Sequence, residues 1–165
     1  MLDLPGLRPS TDRVRETLFN WLGQDLVGLK CLDLFAGTGA LGFEAASRYA
    51  HSVTLLEKDK KAYAKLLANF ASLQSSPAPG EVKILHRDSL EFLKQAADRS
   101  SNLIFIDPPF QEEGLLNQAL IEAARVCDDS AGGGIYVEFP ASRTREQIEA
   151  LVPDWHCGKY QIGRA

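Results

Sequence analysis

The chain has 165 residues, 45% of them hydrophobic and 24% charged, with a net charge of −4 at pH 7. That length suits one domain with a real core, and no apolar run is long enough to span a membrane as a helix. The acidic balance counts against broad nucleic-acid binding, which uses a basic face, while leaving room for a local patch.

In chain order, Ser10 or Thr11 stands ready to cap a first helix over about 12–22, whose apolar Val14, Leu18, Trp21 and Leu22 share one stripe. Strands and helices then alternate. A strand over about 30–34 leads to a helix over 40–48, and a strand over 52–57 leads to a helix over 60–73. That second helix carries Tyr63, Leu66, Leu67 and Phe70 at helical spacing, which predicts burial of all four. A loop rich in Ser, Pro and Gly follows over 74–80. Further along come a strand over 82–85, a helix over 90–97, the short apolar strand Leu103-Ile104-Phe105-Ile106 and a helix over 114–127. Gly132-Gly133-Gly134 turns into a strand over 135–138, then a helix over 143–151 and a last strand over 155–162. This alternation predicts a Rossmann-like, doubly wound and mostly parallel sheet between two helical layers, as a single α/β domain over 1–165.

Three places carry chemistry. Leu32-Asp33-Leu34-Phe35-Ala36-Gly37-Thr38-Gly39-Ala40-Leu41-Gly42 is a strand running through a glycine-rich turn into a helix. Glycines allow a tight turn and a close backbone approach, and the helix N-terminus offers unpaired N–H groups. Glu57 ends the second strand, where a carboxylate can accept both hydroxyls of a ribose. Asp107-Pro108-Pro109-Phe110 ends the fourth. Two prolines stop a strand and leave their carbonyls as acceptors without competing N–H groups. With the carboxylate of Asp107 and the flat face of Phe110, they suit a planar amine. The plainer reading is a Pro-Pro turn with a core Phe. Asp33, the glycine turn, Glu57, Asp88 and Asp107 all fall at or just past predicted strand ends, where doubly wound sheets bind ligands. Independent structural roles would not require that coincidence.

Together the glycine turn, Glu57 and Asp107 to Phe110 resemble the S-adenosylmethionine-dependent methyltransferases that act on planar exocyclic amines, with the class I methyltransferase fold. The segment Gly6-Leu7-Arg8-Pro9-Ser10-Thr11-Asp12-Arg13-Val14-Arg15-Glu16, with Ile135-Tyr136-Val137-Glu138, is similar to one branch, the bacterial 16S ribosomal RNA guanine-N2 methyltransferases. The likeness runs from about Gly6 to about Trp155. It implies S-adenosylmethionine as cofactor and 16S ribosomal RNA, within a small-subunit particle, as partner. Phe35, Ala36, Gly37, Thr38 and Gly39 would approach the cofactor's amino-acid part, with Asp33 balancing its ammonium. Glu57, with Lys58 beside it, would serve the ribose. Asp88 and Ser89 resemble the adenine-binding stretch, although Asp88 reads equally as the N-cap of the helix that follows. Asp107, Pro108, Pro109 and Phe110 are the expected catalytic residues, Phe110 also stacking on the base and Asp107 also bordering the cofactor. Arg13 and Arg15 are expected to touch RNA or cofactor, against a plainer role as a solvated helix face. Members of this family begin with a basic segment before the position of Leu7 and end with a strand after about Gly163. This chain shows neither, so weak binding of naked RNA is expected.

Alternatives stay open. Gly37, Gly39 and Gly42 also satisfy the dinucleotide-binding pattern with Glu57 downstream, which would suit an NAD-dependent oxidoreductase. Adenine N6, cytosine N4 and a protein glutamine are planar amines too. A non-enzymatic RNA-binding or assembly module is the third possibility. Cys31, Cys127 and Cys157 are odd in number and far apart, with neither metal spacing nor a disulfide frame. With no signal-peptide pattern in Met1-Leu2-Asp3-Leu4-Pro5, they point to a reducing cytoplasm. No metal, no membrane and a monomer are expected.

Overall fold

The computed structural model describes residues 11–23, 25–73, 80–109, 111–112 and 114–158. In order these form α1 (Thr11–Leu22), β1 (Lys30–Asp33), α2 (Ala40–Ser47), β2 (Ser52–Glu57), α3 (Lys60–Ser72), β3 (Glu81–His86), α4 (Ser89–Gln95), β4 (Leu103–Ile106), α5 (Leu115–Val126), β5 (Gly134–Val137) and α6 (Arg145–Glu149). The five strands make one sheet in the order β3-β2-β1-β4-β5, and every pairing is parallel. The Rossmann-like α/β reading of the sequence therefore holds.

Alternation along the strands divides the interior into two cores. Cys31, Val53, Leu55, Leu103 and Phe105 face one side with Leu18 and Phe19 of α1, Ala45 and Ala46 of α2 and Leu66 of α3. Leu32, Leu56, Ile104 and Ile106 face the other with Leu93 of α4, Leu116, Leu120 and Val126 of α5, and Ile148 of α6. The interior strand β4, between β1 and β5, is buried along its whole length. A strand covered on both faces reads as an unbroken apolar run, which is why its position was legible in the sequence.

The amino ends of the central strands are clipped together. Asn102 donates its backbone N–H to the Lys30 carbonyl (2.8 Å), and its carbonyl accepts the Gly134 N–H (2.8 Å). Its side-chain oxygen accepts the Lys30 N–H at 2.9 Å. Arg125 of α5 donates to the Leu93 and Ala96 carbonyls at the end of α4 (2.6 and 2.9 Å), so it caps that helix from its neighbour.

Three expectations need correction. In α3 only Leu66 is buried, and Leu67 is 41% exposed. The helix covers the outer strands β2 and β3, so only a narrow line of it meets the sheet. Tyr63 and Phe70 sit at that margin, stacked on His86 (4.8 Å) and Phe43 (5.8 Å). The helix expected over 143–151 is shorter, because Thr144 and Gln147 form a capping box that starts α6 at Arg145. No strand forms over 155–158, where the Cys157 N–H bonds the Glu149 carboxylate (2.9 Å) instead of a ladder. The rest of that expected strand, from 159 on, and the Ser10 cap lie outside the described residues.

The close approach of Gly133 to β4 makes a sharp expectation. A Cβ at Gly133 would stand 1.9 Å from the Asn102 carbonyl oxygen, whereas one at Gly134 meets nothing within 4 Å. Gly133→Ala should therefore cost about 1–3 kcal/mol, the usual range for overpacking a tight site. Gly134→Ala should leave stability nearly unchanged. Urea denaturation of the two variants beside the parent checks both, and equal midpoints would show that the loop yields freely.

A candidate cofactor and acceptor site at the strand carboxyl ends

The sheet order turns back between β1 and β4, so their carboxyl ends lead to opposite faces and leave a crevice between them. Asp33 closes β1 inside this crevice and is only 2% exposed. Its Oδ2 accepts the Gly42 N–H at 3.1 Å. Burial pushes its pKa from 3.8 up to about 7, with the Gly42 and Phe35 N–H groups pulling the other way and Glu57 adding to the rise.

The chain then makes its glycine turn. The Ala36 N–H bonds the Leu56 carbonyl (2.9 Å), and the Gly39 N–H returns to the Ala36 carbonyl (2.8 Å). Gly37 has φ +54° with open space where a Cβ would be, which leaves its backbone approachable. The other two glycines serve packing. Gly39 has φ +89°, and a Cβ there would lie 2.2 Å from the Phe43 ring. At Gly42 it would lie 2.5 Å from Leu55, so α2 can settle on β2 only with glycine at that point.

Glu57, half-buried, is tied to the same turn. Its Oε2 accepts the Gly37 N–H (3.0 Å) and its Oε1 the Asp59 N–H (2.9 Å). Asp88 caps α4 through the Glu91 N–H (3.0 Å) and pairs with the Lys58 ammonium at 3.4 Å. The Glu91 N–H, with Lys58, holds the Asp88 carboxyl below the usual carboxylate range. The helix-cap reading of Asp88 is thus what its side chain does here. The buried Ser89 hydroxyl donates to the Leu34 carbonyl, fastening α4 to the end of β1.

At the end of β4, Asp107 is half-buried, Pro108 is buried and Pro109 is exposed. The Pro109 carbonyl accepts the Glu112 N–H at 3.4 Å. Phe110 lies outside the described residues.

A cavity of about 980 Å³ opens over this ground. Asp33, Phe35, Ala36, Gly37, Thr38, Asp107 and Arg15 all line it. Gly39, Glu57, Lys58, Asp88, Ser89, Pro108, Pro109 and Arg13 do not, although Glu57 adjoins it through the Gly37 N–H. Arg15 also pairs with Asp12 at 3.1 Å, and Arg13 is exposed. Sequence reasoning missed the far walls: Val14 and Trp21 of α1, and Trp155 and His156 beyond α6. An apolar stripe signals burial but not what it faces. Tyr136 and Glu138 line the same cavity, the Tyr136 hydroxyl donating to Glu138 Oε1 at 2.7 Å. Among the described residues no cluster of His, Cys, Asp or Glu is arranged to hold a metal, and no helix is long and apolar enough to cross a membrane. Cys31 and Cys127 are buried free thiols, and burial pushes both up to about 12.

Comparison with known proteins bears on this geometry. The chain is 48% identical over 118 residues to ribosomal RNA small subunit methyltransferase D of Escherichia coli strain K12, a stretch that covers 72% of this chain and 57% of that protein. It therefore spans little more than half the length of that relative. The solved structure of HI0767 from Haemophilus influenzae superposes with a TM-score of 0.65 at 38% identity, covering 82% of this chain and 83% of the other. The SAM-dependent methyltransferase from Agrobacterium tumefaciens shares the fold, with a TM-score of 0.68 at 21% identity over 88% of this chain and 50% of that one. The family model described as conserved hypothetical protein 95 matches residues 1–155. The chain thus belongs to the conserved hypothetical protein 95 family, and among named proteins it is similar to ribosomal RNA small subunit methyltransferase D.

Proposed function

We propose that this chain is an S-adenosylmethionine-dependent methyltransferase that modifies the exocyclic N2 amine of a guanine in 16S ribosomal RNA, acting as a monomer on a small-subunit particle. The observation that carries the reading is the convergence of Asp33, the Gly37 turn and Asp107 on one cavity at the β1–β4 crevice. The similarity to ribosomal RNA small subunit methyltransferase D supports the RNA class. The resemblance of the N-terminal segment supports guanine N2.

The residues present fit this cofactor. Asp33 supplies a buried carboxylate for an ammonium, Gly37 a backbone with open space where a side chain would stand, and Glu57 a carboxylate already held in place by two N–H groups. Asp88 lies at the next strand end, its cap leaving room on the carboxylate for an adenine amine, since each oxygen can accept more than one bond. When bound, S-adenosylmethionine supplies a methyl carbon on a positively charged sulfur, which keeps the bonding electrons when that carbon leaves. The remaining difficulty is the acceptor, whose amine lone pair is delocalised into the ring. Asp107 and the Pro108 carbonyl take the amine's N–H groups and turn its lone pair towards the methyl carbon. They also favour the positive charge that grows on nitrogen, and Asp107 receives the proton that nitrogen then sheds. Phe110 stacks on the base once it is out of its helix.

Three outcomes follow. Isothermal titration should show the parent binding S-adenosylhomocysteine and not NAD, with Glu57→Ala weaker by roughly 10- to 100-fold, the effect of losing charge-assisted hydrogen bonds. Unchanged affinity would remove Glu57 from the ribose, and NAD binding alone would favour the oxidoreductase.

The second outcome concerns pH. An ammonium beside Asp33 favours its charged form, and the unliganded group ionises at about pH 7. Affinity for S-adenosylhomocysteine should rise by up to about tenfold between pH 6 and 8, as the competent form goes from minor to dominant. Asp33→Asn should flatten that rise. The sign is opposite for the empty fold. Its Asp33 is raised above the 3.8 of the unfolded chain, so stability falls as pH climbs from about 4 to about 7.

Asp107→Ala separates chemistry from binding. Methyl transfer should drop on the order of a hundredfold or more, the usual cost of losing a preorganised partner of the reacting group. Cofactor affinity and melting temperature should stay near those of the parent. A folded variant working at the parental rate would take Asp107 out of the mechanism.

A further inference from the structure

Asp107 does not stand alone at the acceptor end of the cavity. The β4–β5 register pairs Phe105 with Tyr136 and Ile106 with Val137, so the next rung sets Asp107 beside Glu138. The Glu138 N–H continues the ladder to the Ile106 carbonyl at 2.9 Å. Neighbouring strands lie about 4.8 Å apart, and paired residues point to the same face. Phe105 and Tyr136 both pack in the α1-side core, their rings edge to face at 6.4 Å. Two residues further on, Asp107 and Glu138 both line the cavity. The Tyr136 hydroxyl, whose ring is held by Phe105, donates to Glu138 Oε1 at 2.7 Å and so fixes where that carboxylate points. The crevice thus presents two carboxylates side by side.

Which planar amine fits such a pair is a question of flanking atoms. In guanine the ring position next to the amine-bearing carbon is N1–H, a donor, so two donors stand side by side on its Watson–Crick edge. Adenine places an acceptor nitrogen beside its N6 amine, cytosine places one beside N4, and a glutamine amide places its carbonyl oxygen there. An ionised carboxylate only accepts, so it attracts guanine at that position and repels the other three. We propose that Glu138 selects guanine by accepting its N1–H while Asp107 holds the N2 amine, and that Tyr136 positions Glu138. This rests on the methyl-transfer reading above and adds the residue that chooses the base.

The test uses the methylated guanine, located first by mass mapping of small-subunit ribosomal RNA treated with the parent protein. That position is then filled with either guanine or 2-aminopurine. 2-Aminopurine keeps the reactive amine but carries an acceptor at N1. Its missing oxygen at position 6 affects parent and variant alike, so the ratio of ratios isolates the N1 contact. The parent should prefer guanine in kcat/KM. Glu138→Gln, whose amide can turn a donor towards N1, should lose roughly 10- to 100-fold on guanine. On 2-aminopurine it should change little or improve, so the preference collapses. Tyr136→Phe should narrow the preference in the same direction but by less, which keeps the test available if Glu138→Gln folds poorly.

Equal losses on both bases would mean that Glu138 merely supports the wall, and the proposal falls. It falls too if the parent does not distinguish the bases. A parent that binds S-adenosylhomocysteine but never modifies a guanine N2 would overturn the methyl-transfer reading itself. That failure is visible before any variant is made.

Discussion

Leu34 donates its N–H to the Phe105 carbonyl at 3.1 Å, the last rung between β1 and β4, and the site depends on that pairing. It brings Asp33 and Asp107, far apart in the chain, to adjacent strand ends. At the same rung the sheet changes its winding, so the segments leaving β1 and β4 cross to opposite faces and do not cover the gap between them. Backbone polar groups at these ends are answered locally. The Ala36 N–H meets the Leu56 carbonyl, and Ser89 meets the Leu34 carbonyl. The turn is held rigidly without being filled.

The two ends of the sheet are built for different purposes. At the amino end, Asn102 serves three strands at once and Gly133 packs against its carbonyl with no room for a side chain. Arg125 spans α5 to α4, using its fork of donors on two helix-end carbonyls. These contacts pair each polar group with a partner on a neighbouring element. At the carboxyl end, the polar groups are carboxylates set around open space. Burying Asp33 there is costly for its charged form, and its raised pKa records that cost.

Both α1 and β5 contribute residues to the cavity lining. Val14, Arg15 and Trp21 of α1 line it together with Tyr136 of β5 and Glu138 just past that strand. The ion pair of Arg15 with Asp12 is an exposed i,i+3 contact, of a kind that contributes little to stability. Arg15 places a positive group at the cavity of a chain whose net charge is −4. Local placement of charge and overall charge are separate properties of the chain.

Much of the fold was legible in the residues because local rules and global packing agree. β2 was expected over 52–57 and β4 over 103–106, and both stand there; β4 is covered on both faces and so is apolar throughout, while β2 buries Val53, Leu55 and Leu56 among partly exposed residues. The glycine turn was legible for a similar reason, since glycine adopts the positive φ values of Gly37 and Gly39 more readily than any other residue. Other features needed the third dimension. Tyr63, Leu67 and Phe70 share a helical face with Leu66, but how much of that face is buried depends on which strands lie beneath it. Asp88 carries the same carboxylate as a helix cap or as a ligand, and only its distance to the Glu91 N–H shows that it caps. Glu138 stood in the sequence at a strand end and within Ile135-Tyr136-Val137-Glu138, a stretch that carries the family likeness but names no partner for its carboxylate. Its pairing with Asp107 is set by the β4–β5 register, a relation between segments some thirty residues apart. Periodicity and turn chemistry are properties of neighbours in the chain, so the sequence by itself determined the elements and their order. Register, crossing and the facing of side chains arise only when distant segments share one core, so the tertiary structure decided which residues meet.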